Sequence, residues 1–224
     1  MSIIFNQAPA NNSIRYSKKL KLAVSTLAVV HFFGALGLIY PASRPYFEAA
    51  TPINLLLTVS LLLYFHTDWN ASFWLFNIIT YFCGYFVEVL GVHTEFIFGS
   101  YAYGNTLGFQ VWQVPLIIGV NWLILVYASG SLVSRLKIHV VLKSLLGATL
   151  MVLLDMLIEP VAIKLDFWDW ADGIIPTQNY FGWFIVALFL QFAFHLLIFK
   201  KENSLAKFVL LVQAIFFIVL QTTI

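Results

Sequence analysis

Long apolar runs separated by short polar links make up most of this chain. Seven stretches, at about residues 20–40, 50–66, 70–90, 114–134, 139–163, 179–199 and 204–223, are each near the length that crosses a bilayer as a helix. The second is the shortest, and Pro52 falls in its first turn, where a missing N–H costs little. The links carry a charge asymmetry. With the N-terminus inside, ten basic residues (Arg15, Lys18, Lys19, Lys21, Arg135, Lys137, Lys143, Lys200, Lys201 and Lys207) lie inside, against Arg44 and Lys164 outside. Basic residues collect on the cytoplasmic side. The pattern therefore predicts an all-α, polytopic membrane bundle of about seven helices, N-terminus cytoplasmic and C-terminus outside. It forms one integral domain, 1–224, with a short cytoplasmic tail at 1–19, in the cell inner membrane.

Composition agrees with this reading and narrows it. The chain has 224 residues, 61% hydrophobic and 10% charged, with a mean hydropathy of +0.90. A soluble domain carries roughly 25% charged residues. No basic run is dense enough for nucleic acid. Cys83 is the only cysteine, which excludes an internal disulfide and a CxxC site. The first apolar stretch is too long for a cleaved signal and reads as a retained span.

The acids gather where the basic residues do not. Glu88, Glu95, Asp155, Glu159, Asp166, Asp169 and Asp172, seven of the ten acids, fall at the outer ends of the third and fifth helices or in the loops that follow. Those loops, 91–113 and 164–178, are the two long ones, and long loops in compact proteins tend to carry function. Asp155 and Glu159 are four apart and share a helix face. Asp155 lies roughly 10 Å below the helix end, inside hydrocarbon. Asn77, Tyr81, Gly84 and Glu88 form a small and polar stripe suited to helix packing, and Asn121 adds a buried amide. Carboxyls inside a membrane usually face the bundle interior and mark a functional path. The competing reading is structural: a hydrogen bond to a neighbouring helix for Asp155, a reach to the interface for Glu88, and solvated loop faces for Glu95, Asp166, Asp169 and Asp172.

A carboxyl kept from water favours its protonated form and can act as a general acid. No Ser–His–Asp pattern, phosphate loop or HExxH accompanies these acids. The histidines show no ligand spacing; His31 and His195 read as helix–helix hydrogen-bond partners, and His93 alone is near the acidic face. Phe98, Tyr101, Tyr103 and Trp112 alternate with glycines, and Trp168 and Trp170 flank Asp169. They suit an interfacial belt, or a pocket whose ring faces steady a carbocation. Acids and aromatics at a lipid-accessible face point to acid-started chemistry on an alkene.

These residues also form a recognisable pattern. Glu88-Val-Leu-Gly91, Thr94, Phe98-Gly99-Ser-Tyr101-Ala-Tyr103, Leu107-Gly108, Val114-Pro115 and Trp122 make a first block. Asp155, Glu159-Pro160, Trp168-Asp-Trp170, Ile175-Pro176, Asn179-Tyr180 and Gly182-Trp183 make a second. Together, over roughly 75–185, they resemble the bacterial and archaeal carotenoid hydratases, which include carotenoid 1',2'-hydratases and bisanhydrobacterioruberin hydratase. The resemblance implies cofactor-independent hydration of the terminal double bond of an acyclic carotenoid end, giving a tertiary alcohol. Its partners would be a lipophilic carotenoid of the lycopene or γ-carotene type, the bilayer and other carotenoid enzymes, with no metal. On that footing Asp155 or Glu88 donates the proton and Glu159 handles water. Tyr101, Asn121 and Asn179 hold the water. Tyr103, Trp122, Trp168, Trp170 and Trp183 line the channel. The chain departs from the family pattern at Glu95, where glycine is expected, and at or near Ile97, where proline is expected.

Three rivals share some of these features. A carotene cyclase would use the same protonation and then lose a proton. A prenyltransferase would use Asp155-x-x-x-Glu159 as half of a paired acid motif, but the second half is missing. A proton-coupled transporter would use intramembrane acids, but no inverted repeat is present.

Overall fold

The computed structural model describes residues 10–171 and 173–224, with side chains from Ser17 onward. Asp172, the first nine residues and the Arg15 side chain lie outside what is described. Among the described residues eight helices follow one another: α1 (Ala10–Ile39), α2 (Arg44–Ala49), α3 (Thr51–Tyr64), α4 (Ala71–Thr94), α5 (Ile117–Ser134), α6 (Val140–Lys164), α7 (Thr177–Leu196) and α8 (Ala206–Thr223). Helix α1 starts inside the segment expected as a tail; its spanning stretch is Ser17–Ile39. Among the described residues six helices are long and apolar enough to cross a membrane, and the protein is a polytopic all-α membrane bundle.

The second expected span is the 14-residue α3, preceded by the short α2. At about 21 Å it is shorter than a hydrocarbon core. Its ends nevertheless sit at opposite ends of the bundle. Tyr64 Oη accepts from Lys19 Nζ near the start of α1, at 2.7 Å. Pro52, in the first turn of α3, packs near Gly108 of the α4–α5 loop. At that same far end the Lys164 ammonium, closing α6, donates to the carbonyl of Ile224.

Helix α5 is the axle of the bundle: 72% of its spanning window is buried, against 28–39% in the other five. Small residues let its neighbours approach, as TM packing requires. Gly119 lies under the Tyr81 ring of α4 and Gly130 under Phe194 of α7. The Asn77–Tyr81–Gly84–Glu88 stripe does face α5, for a Cβ on Gly84 would stand 2.4 Å from Trp122. Pro160 removes an N–H inside α6, which deprives the Met156 carbonyl of its helical donor. Gln221 of α8 supplies amide hydrogens there, to Met156 O at 3.5 Å and Leu157 O at 2.8 Å.

The two long loops are not independent. Strand β1 (Tyr101–Tyr103) pairs antiparallel with β4 (Trp168–Trp170), Tyr101 opposite Trp170 and Tyr103 opposite Trp168. A hairpin of β2 (Gln110–Val111) and β3 (Val114–Pro115) completes the first loop and is tied to α4 by Tyr85 Oη donating to Val111 O at 2.6 Å.

Candidate active site

Successive strand side chains point to opposite faces. Tyr101, Tyr103, Trp168 and Trp170 therefore share the inward face of the β1–β4 pair, while Ala102 and Asp169 are exposed. Beneath that face α4 brings Glu88, and α6 brings Asp155 and Glu159, four residues apart on one side. All three carboxyls are buried. Gly91 makes the approach of loop to helix feasible, since a Cβ there would meet Phe98 at 2.6 Å and the Tyr101 hydroxyl at 2.9 Å.

Each carboxyl has its own set of donors. Glu88 Oε2 accepts from Tyr101 Oη at 2.6 Å and Tyr103 Oη at 2.9 Å, and its Oε1 accepts from Trp122 Nε1 at 3.0 Å. Glu159 Oε2 accepts from the indole nitrogens of Trp168 at 3.0 Å and Trp170 at 2.9 Å. Asn179 Nδ2 of α7 bridges the α6 pair, donating to Glu159 Oε1 at 2.8 Å and Asp155 Oδ2 at 3.2 Å. Asp155 Oδ1 is buried with no hydrogen-bond partner. Every donor to these groups is neutral. Burial, then the nearby charge of Glu88, pushes the Tyr101 and Tyr103 phenols well above their ordinary range, so both remain proton-bearing donors.

A small cavity of about 20 Å³ opens among these groups, lined by Glu88, Glu159, Tyr101, Tyr103, Asn121 and Trp183 among others. Trp183 stacks on Trp122 with ring centroids 4.2 Å apart. A second cavity, about 70 Å³, shares Ile118, Asn121 and Trp168 with the first. Two buried amide oxygens among its lining residues, Asn54 Oδ1 and Gln213 Oε1, have no partner.

All eleven residues singled out in the sequence converge here, but several do a different job from the expected one. The tyrosines and Trp122, Trp168 and Trp170 present hydrogens to carboxylates as well as ring faces. Asp155 does not line the cavity; it sits behind Asn179. Sequence reasoning missed Asn54 and Gln213, amides in otherwise apolar helices, although an unexplained amide in a span is itself a signal. The loop acids stay outside. Asp166 Oδ2 caps Asn105 N at 3.0 Å, Asp169 caps its neighbour Trp170, and His93 is exposed. Glu95 is exposed, accepts from Ser100 Oγ at 2.9 Å and ends α4 in the left-handed conformation, φ 58°. That conformation is why glycine is the natural residue there. The helix–helix hydrogen bonds expected of His31 and His195 are not seen. His31 bonds Leu27 O of its own helix, and His195 Nε2 has no partner.

The model of a family described as carotenoid biosynthesis protein matches residues 50–224, most of the chain and every residue of the site. The chain belongs to that carotenoid biosynthesis family. No curated protein and no solved structure matches it. As a member of this family the protein has a role in carotenoid biosynthesis, and its apolar helices suit work on a lipophilic compound in a bilayer.

Proposed function

We propose that this carotenoid biosynthesis protein is a hydratase. It adds water, without a cofactor, across the terminal 1',2' double bond of an acyclic carotenoid end of the lycopene or γ-carotene type, in the cell inner membrane. The observation that carries the reading is the donor set. Glu88 and Glu159 each accept three hydrogens from neutral groups, and no cation is among their partners. A donor-only environment suits ionised carboxylates, which can only accept, and anions without a cationic partner in a dry pocket favour a developing positive charge. Asp155 has one oxygen that no donor claims, which suits a protonated acid.

The steps follow from these roles. Asp155 gives its proton to the less substituted alkene carbon, the π electrons form the new C–H bond, and a tertiary cation is left at C1'. Glu88, Glu159 and the indole and phenol faces stabilise that cation. Water attacks C1' and loses a proton to Glu159, which restores the proton count of the Asp155–Glu159 pair. The cavity beside Asn121 offers the water: it is large enough for more than one molecule, and its two unpartnered amide oxygens need donors. The same anions disfavour a diphosphate ligand, which counts against a prenyltransferase.

Pigment analysis by chromatography and mass spectrometry, in a lycopene-producing host with and without the chain, tests this reading. A gain of one water per reacted end as a tertiary alcohol supports it. An unchanged mass with a new ring replaces it with a cyclase, and unchanged pigment despite membrane expression favours a transporter. In D₂O, proton delivery is also visible as deuterium entering recovered alkene, which separates loss of the acid step from loss of water capture. If Glu88→Gln and Asp155→Asn enzymes both keep full activity, the assignment fails.

A further inference from the structure

A large cavity outside the acidic site lies at the opposite end of the bundle, where α5 and α7 end and α6 begins. It measures about 770 Å³, and its lining includes Arg135, Lys143, Lys200, Lys201, His195 and Ser134. Four cations thus face a single acidic lining residue, Glu202. The other acid nearby, Asp68, is already engaged: its Oδ2 accepts from Lys200 N at 2.8 Å and Asn70 Nδ2 at 3.1 Å.

Two of these side chains are held by backbone carbonyls. Lys143 Nζ donates to the Ser134 carbonyl at 3.0 Å. The Lys201 ammonium donates to the Leu197 carbonyl and lies 3.2 Å from the centre of the Phe199 ring. The charges of Lys143 and Lys201 both act on His195, whose buried Nε2 has no partner. Burial holds the Lys201 ammonium down to about 7, with Asp68 pulling the other way. Several basic side chains lining one concave space are complementary to a compact anion.

We propose that this pocket binds a phosphate group, through Arg135, Lys143, Lys201 and the His195 imidazole. The phosphate could belong to an anionic phospholipid headgroup, for which basic pockets between helices are suited, or to a free phosphate from the aqueous side. The site is independent of the carboxyl chemistry.

The test uses the full-length protein in nanodiscs. With phosphatidylglycerol added to phosphatidylcholine, the unfolding temperature should rise by several degrees, as ligand linkage requires. The Arg135→Gln, Lys143→Gln double variant should lose that rise, while a Lys18→Gln, Lys137→Gln control, altered outside the pocket, should keep it. The same rise from inorganic phosphate in all-phosphatidylcholine discs would assign the site to a free phosphate. No rise with either probe, or an equal rise in the double variant, overturns the proposal. If the double variant does not fold, native mass spectrometry of the wild-type protein decides. Retained phosphatidylglycerol or phosphate supports the site, and equal retention of phosphatidylcholine overturns it.

Discussion

At the acidic end of the bundle, three buried carboxyls are surrounded by phenol, indole and amide hydrogens. At the basic end, one group of buried polar side chains is satisfied from within. His66 Nδ1 meets Tyr127 Oη at 2.7 Å, and Asn203 Nδ2 donates to Tyr127 Oη at 3.1 Å and to Leu62 O at 2.8 Å. Asn203 N also donates to Ser131 Oγ at 2.9 Å. The His66 ring stacks on Phe73, 3.5 Å between centroids. The second network closes on itself and locks α3, α5 and the α7–α8 loop together. The first is left open at one oxygen, Asp155 Oδ1, which has no hydrogen-bond partner. A closed polar network is a structural device. An open one, buried at a cost that packing alone would not require, is where chemistry is expected.

Substitution can break that contrast. The largest effect should come from Asp155→Asn, which keeps the shape and removes the acid. Alcohol formation should fall by about 100-fold or more, the scale of general acid catalysis, with unfolding behaviour unchanged, as measured by product analysis and thermal unfolding on the same preparation. Tyr127→Phe should do the reverse. It leaves His66 and Asn203 short of a buried partner and should cost about 1–3 kcal/mol of stability, read from the unfolding midpoint, with turnover per folded molecule intact. The smallest effect should be at Glu95→Gly. Relief of the left-handed backbone and loss of the Ser100 bond oppose each other, so stability should stay within about 1 kcal/mol and activity should not change.

Much of this architecture is written in the order of residues. Run length and basic-residue placement locate the spans, and Pro52 does fall in the first turn of α3. Hydropathy alone does not show α2, a six-residue helix in the link before the second stretch, whose start depends on Pro45 in its first turn. The carboxyls were legible because an acid in an apolar run has few innocent explanations. The pairing of β1 with β4 was not, since three-residue strands lie far apart in sequence and carry too little pattern to name a partner. Nor could sequence tell whether a tryptophan would offer its face or its N–H. Trp168 and Trp170 turn their nitrogens to Glu159 only because the register points them there.

That register makes the site a matter of parity. Tyr101, Tyr103, Trp168 and Trp170 supply four of the six neutral donors to Glu88 and Glu159. A slip of either strand by one residue exchanges its whole face, setting Ala102 or Asp169 over the carboxyls in place of aromatic donors. The anions would lose several hydrogens at once. Two loops more than sixty residues apart in sequence therefore assemble the carboxyl pocket together, and it has no half-built form.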